Sequence, residues 1–154
     1  MVTSHESIFV ERAELMERIG AAFADVPLPA DDNIICHECE ECFRLHESLR
    51  GHTAGEISDA WIEENFDKLP LLTDDAKQFF LPAFFRVAAL KPDSLAAQFL
   101  LYSLADDFRM QPQSGYSAQQ KQAVRDYLTY IEQRMEEYDR EYFDKASALW
   151  PPAA

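Results

Sequence analysis

Apolar side chains recur at helical intervals along nearly the whole chain, and no run alternates apolar with polar positions for long enough to make a half-buried strand. Between Glu6 and Ala24, Leu15, Ile19, Ala22 and Phe23 fall on one stripe, and Pro27 and Pro29 stop it. A polar loop through Asp31, Asp32 and Asn33 follows. From Cys36 to Leu49 the spacing of Cys39, Phe43, His46 and Leu49 is again helical, with Gly51 placed as a C-terminal cap. This second helix is expected to carry every cysteine.

Thr53 and Glu56 form a capping-box pair ahead of a short third helix with Ile57, Trp61 and Phe66 on its apolar side, and Pro70 closes that segment. Thr73 can N-cap the run Asp74 to Leu90, whose Phe79, Phe80, Ala83, Phe84 and Val87 must meet a core. Phe84 and Phe85 are adjacent, so one of them is expected to meet a second helix layer or a partner. Pro82 deletes one backbone hydrogen bond inside this run, which predicts a kink or two helices abutting near Leu81. Leu95 to Leu104 is apolar on nearly all sides and reads as a buried central helix.

Asp106 to Tyr116, with Pro112, Ser114 and Gly115, is the longest expected loop. Ser117 and Gln120 then form a second capping box. Val124, Leu128, Ile131, Met135, Tyr138 and Tyr142 advance by steps of four and three, the pattern of a seam on one long helix. A helix from Ser117 through Ala148 would extend about 48 Å, which leaves overhang available for a homodimer. Without repeat or linker, the expectation is an all-α, single-domain bundle of six or seven helices over residues 1–154, with a proline-kinked central helix and a long C-terminal one.

Charge narrows the partners. With 14 Lys and Arg against 28 Asp and Glu, the net charge is −14, a field that repels phosphate backbones and anionic lipid surfaces. Nucleic acid and membranes are therefore not expected partners, whereas a basic protein surface is. The N-terminus lacks a basic region and a following apolar run, so no signal or transit peptide is expected, and a cytoplasmic protein is. Cys36, Cys39 and Cys42 are odd in number, which does not suit a secreted disulfide framework.

The segment Cys36-His37-Glu38-Cys39-Glu40-Glu41-Cys42 is the densest chemistry in the chain, and His46 extends its spacing to C-x2-C-x2-C-x3-H. An iron–sulfur cluster is disfavoured, because a fourth cysteine is lacking and the glutamates suit a helix better than an open cluster loop. Zinc is the metal that such a half-site fits, with Cys39, Cys42, His37 and His46 as candidate ligands and His5 or His52 as further donors. On one continuous helix, however, Cys39 and His46 stand about 10 Å apart along the axis. A thiol role is the other reading, with Cys36 and Cys39 as a CxxC near a helix N-terminus, though Glu38, Glu40 and Glu41 oppose a thiolate. The plainest reading makes Cys39 and Cys42 small core side chains, and His46 a packed histidine beside Phe43 and Leu49.

No G-x-S-x-G, glycine-rich phosphate loop, HExxH or repeated Glu-x-x-His accompanies this segment, so no motif fixes a reaction. Three segments resemble a family of small, acidic bacterial helical proteins without an established activity: Phe23-Ala24-Asp25-Val26-Pro27 with Asp31-Asp32-Asn33-Ile34, His37-Glu38-Cys39-Glu40-Glu41-Cys42, and Leu72-Thr73 through Phe80-Leu81-Pro82-Ala83-Phe84. The resemblance implies a bacterial, cytosolic, single-domain helical protein and gives Cys39 and Cys42 added weight. The functional expectation is a non-enzymatic acidic binding protein, of the immunity or antitoxin-like kind, that engages a basic protein partner. Its candidate contact surfaces are Glu38, Glu40 and Glu41, and Glu136, Glu137, Asp139 and Glu141. The alternatives are a zinc- or thiol-dependent protein using the cysteines and a homodimer formed through the last helix.

Overall fold

A computed structural model describes residues 4–106, 110, 115–135 and 137–151. Seven α-helices make up the described residues: α1 (Ser4–Phe23), α2 (Glu40–Leu49), α3 (Asp59–Glu64), α4 (Asp74–Leu90), α5 (Leu95–Leu104), α6 (Ala118–Glu132) and α7 (Arg140–Leu149). Short 3-10 turns at Ala54–Glu56, Leu69–Leu71 and Glu137–Asp139 join them. The described residues contain no β-strand beyond one isolated bridge, and no helix among them is long and apolar enough to cross a membrane.

α4 is the centre, packed by α1, α3, α5 and α6. Phe84 and Phe85 are both buried because the helix is covered on opposite sides, and Phe85 packs against Tyr127 of α6 in a tilted pair, 4.7 Å between ring centroids. Thr73 caps the helix by accepting the Ala76 amide, and Pro82 lies inside it without dividing it at Leu81. The proline removes one rung, while burial of the flanking Leu81, Ala83, Phe84 and Phe85 stabilises the helix from all around. α5 begins and ends as its pattern predicts but is less enclosed than expected. Leu95 is exposed, and Phe99 and Tyr102 are half-buried beneath Phe66 and Tyr142.

The long C-terminal helix is corrected to two. α6 ends at Glu132 and α7 starts at Arg140, so no single rod of about 48 Å projects from the bundle. The seam instead folds back: Val124, Leu128 and Ile131 are buried within one chain, as are Phe143 and Ala146 of α7, while Tyr142 stays partly exposed. α7 thereby packs on both α5 and α6. Both capping boxes form, although the one at Thr53 and Glu56 opens a 3-10 turn, and Ser58 caps α3. Most of the expected loop from Asp106 to Tyr116 lies outside the described residues.

Candidate functional site

The cysteine segment sits where an extended stretch meets the start of α4. Ile35 and Leu72 form an antiparallel bridge, flanked by Cys36 N–H donating to Leu71 and Thr73 N–H donating to Ile34, each at 2.9 Å. The Cys36 thiol donates to the Leu72 carbonyl at 2.8 Å, and the Thr73 hydroxyl to the Asn33 carbonyl at 3.0 Å. Asn33 in turn donates to Asp75 at 2.7 Å. This extended pairing is why the second helix starts at Glu40, four residues later than its periodicity indicates, and carries only Cys42.

Cys39 becomes the N-cap of α2. Its backbone is extended, and its sulfur accepts the Cys42 amide at 3.3 Å. The Cys39 side chain is exposed and the Cys42 side chain fully buried, so the amide of Cys42 and not its thiol is the contact the structure records between them. Hydrogen bonding from Cys42, at the positive end of α2, holds the Cys39 thiol below its ordinary value, against burial and the opposing charge of Glu41. Burial pushes the Cys42 thiol up, and the neighbouring Cys39 adds to it.

The four candidate metal ligands are brought together only in part. Cys39 and Cys42 touch, His37 lies on the exposed approach to α2, and His46 is turned to donate through Nε2 to the Asp31 carbonyl at 2.6 Å. Among the described residues no group of three or more His, Cys, Asp or Glu side chains is disposed to hold one metal ion.

Phe43 is the largest departure from the sequence pattern. Cys42, Leu45 and Leu49 form the buried stripe of α2, which leaves Phe43 on the outer face, 54% exposed, and His46 half-covered. Their spacing of three and four was the available signal, but Cys39, Phe43 and His46 satisfied the same periodicity. Phe43 lines a groove of about 370 Å³ with Ile35, Cys36, His37 and His46, rimmed by Asp31, Asp32 and Glu38. Asp32 and Glu38 are exposed and form no ion pair among the described residues, whereas Asp31 lies 3.5 Å from Arg50.

The other acidic candidates divide. Glu40 pairs with Arg44 at 2.6 Å, and Glu41 with Lys68. On the C-terminal side Glu137 is exposed, and Glu141 is exposed beside Lys145 at 3.4 Å. Asp139 is instead buried at 6% exposure and accepts from the Tyr102 hydroxyl at 3.3 Å and Gln98 at 3.4 Å, so it belongs to the α5–α7 junction rather than to an outer face. Glu136 lies outside the described residues. Comparison of the chain with protein families, with curated proteins and with solved structures finds no match.

Proposed function

We propose that the protein is a non-enzymatic acidic binding protein of the immunity or antitoxin-like kind, bacterial and cytosolic, which receives a basic segment of a protein partner in the groove beside α2. The observation that carries this reading is Phe43, a large aromatic side chain left exposed at a concave surface whose rim is acidic. A partner's Arg or Lys would lay its aliphatic stem on Phe43 and Ile35 and its charge against the ring face and the carboxylates of Asp32 and Glu38. Such an arrangement supplies both an apolar anchor and a polar rim. The surplus of 14 negative charges adds long-range attraction for a cationic surface. Three free cysteines suit a reducing compartment.

The test is affinity capture at low salt with the wild-type chain and Phe43→Ala in parallel, followed by mass spectrometry of the eluates. The expected result is one stoichiometric basic protein that wild type retains, that salt releases and that Phe43→Ala fails to hold. Equal retention by both chains, or retention indifferent to salt, sinks the groove as the binding site.

A further inference from the structure

We propose that Cys39 and Cys42 form a reversible dithiol–disulfide site, in which Cys39 attacks a small-molecule disulfide and Cys42 resolves the adduct. The site is distinct from the groove, which neither residue lines, and it stands or falls apart from the binding reading.

The three thiols occupy three different settings. Cys36 has its S–H committed to the Leu72 carbonyl, within the pairing that anchors the loop. Cys42 is buried under the first turn of α2. Cys39 alone combines exposure with a sulfur that accepts rather than donates to the backbone, taking the Cys42 amide at 3.3 Å. Amides at the start of a ten-residue helix stabilise a sulfur anion, which is the nucleophilic form.

The intervening glutamates are the obvious objection, since negative charge opposes a thiolate. Both are engaged elsewhere, Glu40 by Arg44 and Glu41 by Lys68, so part of their field is cancelled at its source, while Glu38, without an ion pair among the described residues, is exposed where solvent screens its charge. The second requirement is a resolving thiol within reach. Cys42 meets it by its place in the first turn of α2, where its own amide donates to the Cys39 sulfur at 3.3 Å and the two residues stand one helical turn apart.

The chemistry balances as two exchanges. The Cys39 thiolate attacks one sulfur of the small-molecule disulfide, forming a mixed disulfide and expelling one thiolate. Cys42 then gives up its proton to solvent and attacks the Cys39 sulfur, which forms the Cys39–Cys42 bond and expels the second thiolate. Two electrons pass from the protein dithiol to the disulfide, which leaves as two thiols.

The full chain is incubated with excess oxidised glutathione, quenched in acid, and analysed by thiol counting and peptide mapping. The expected outcome is loss of two of the three thiols, a bond between Cys39 and Cys42, and full recovery with dithiothreitol. Iodoacetamide at neutral pH is expected to label Cys39 about tenfold faster than Cys36 or Cys42. Cys39→Ser, which installs a favoured N-cap, is expected to keep the fold and abolish the intramolecular bond. Survival of all three thiols, an adduct on Cys36, or a disulfide only between chains overturns the proposal, and none of these readouts depends on a folded Cys42 variant.

Discussion

The indole of Trp150 donates through Nε1 to the carbonyl of Leu104 at 2.9 Å, with both residues fully buried. Trp150 caps α7 and Leu104 ends α5, so one side chain reaches across to a carbonyl in the last turn of another helix, where among the described residues no backbone amide takes it. Trp150→Phe keeps much of the ring volume but removes that hydrogen bond, at a cost of about 1 kcal/mol. Trp150→Ala also opens a cavity and is expected to cost about 3–5 kcal/mol. Thermal unfolding followed by circular dichroism checks both, with the alanine variant melting lower by roughly 10 °C.

Phe43 predicts the opposite separation of effects. Because the ring is mostly exposed, Phe43→Ala is expected to change stability by no more than about 0.5 kcal/mol. Partner affinity is expected to fall at least about tenfold, as for a central aromatic anchor. Chemical denaturation and calorimetric titration on the same preparation separate the two; a large stability loss with unchanged affinity would place Phe43 in the fold alone.

Tyr102 and Asp139 give a spectroscopic prediction. Burial raises the Tyr102 phenol above its ordinary value, and the Asp139 carboxylate raises it further. The folded chain therefore holds this proton more tightly than the unfolded one. The resulting stability is complete below the ordinary tyrosine range and is lost as pH rises toward the raised value. Asp139→Asn is expected to move the Tyr102 titration downward without bringing it to the ordinary value, since burial persists. Alkaline titration of phenolate absorbance, with Tyr102→Phe to identify the band, is the measurement.

The carboxyl of Glu56 accepts the Thr53 amide at 2.8 Å, and this bond holds its titration below the usual carboxylate range. The sign is that of a depressed acid: the contribution is present at neutral pH and disappears as pH falls through the lowered value. Glu56→Gln keeps an acceptor for the same amide but cannot titrate. Urea midpoints are expected to fall more steeply with acidification in wild type than in this variant.

The all-helical architecture was legible because caps and periodicity agree locally: Thr73 and Ser117 each accept the amide three residues on, where the pattern places them. The start of α2 was not legible. Its displacement to Glu40 depends on pairing between Ile35 and Leu72, residues far apart in sequence whose contact no local pattern encodes. That one displacement moved Cys39 from a helix interior to a cap and made Cys39 with Cys42, rather than Cys36 with Cys39, the pair at the helix N-terminus. The division of the last helix was hidden for a related reason. The apolar steps of three and four continue through residues 133–139, so the seam stays in register although the helix does not. Asp139 could not be distinguished from its exposed neighbours, because its burial is set by Tyr102 and Gln98 of another helix.

Thr73 ties the groove to the centre of the protein. Its hydroxyl caps the core helix while also donating to Asn33, and its amide donates to Ile34. The wall that carries Ile35 and Cys36 is thus fastened to α4 before any partner arrives. Association at this surface requires no folding of the segment. Its heat-capacity change would then scale with the area of contact alone, without the larger decrement that accompanies a chain ordering as it binds.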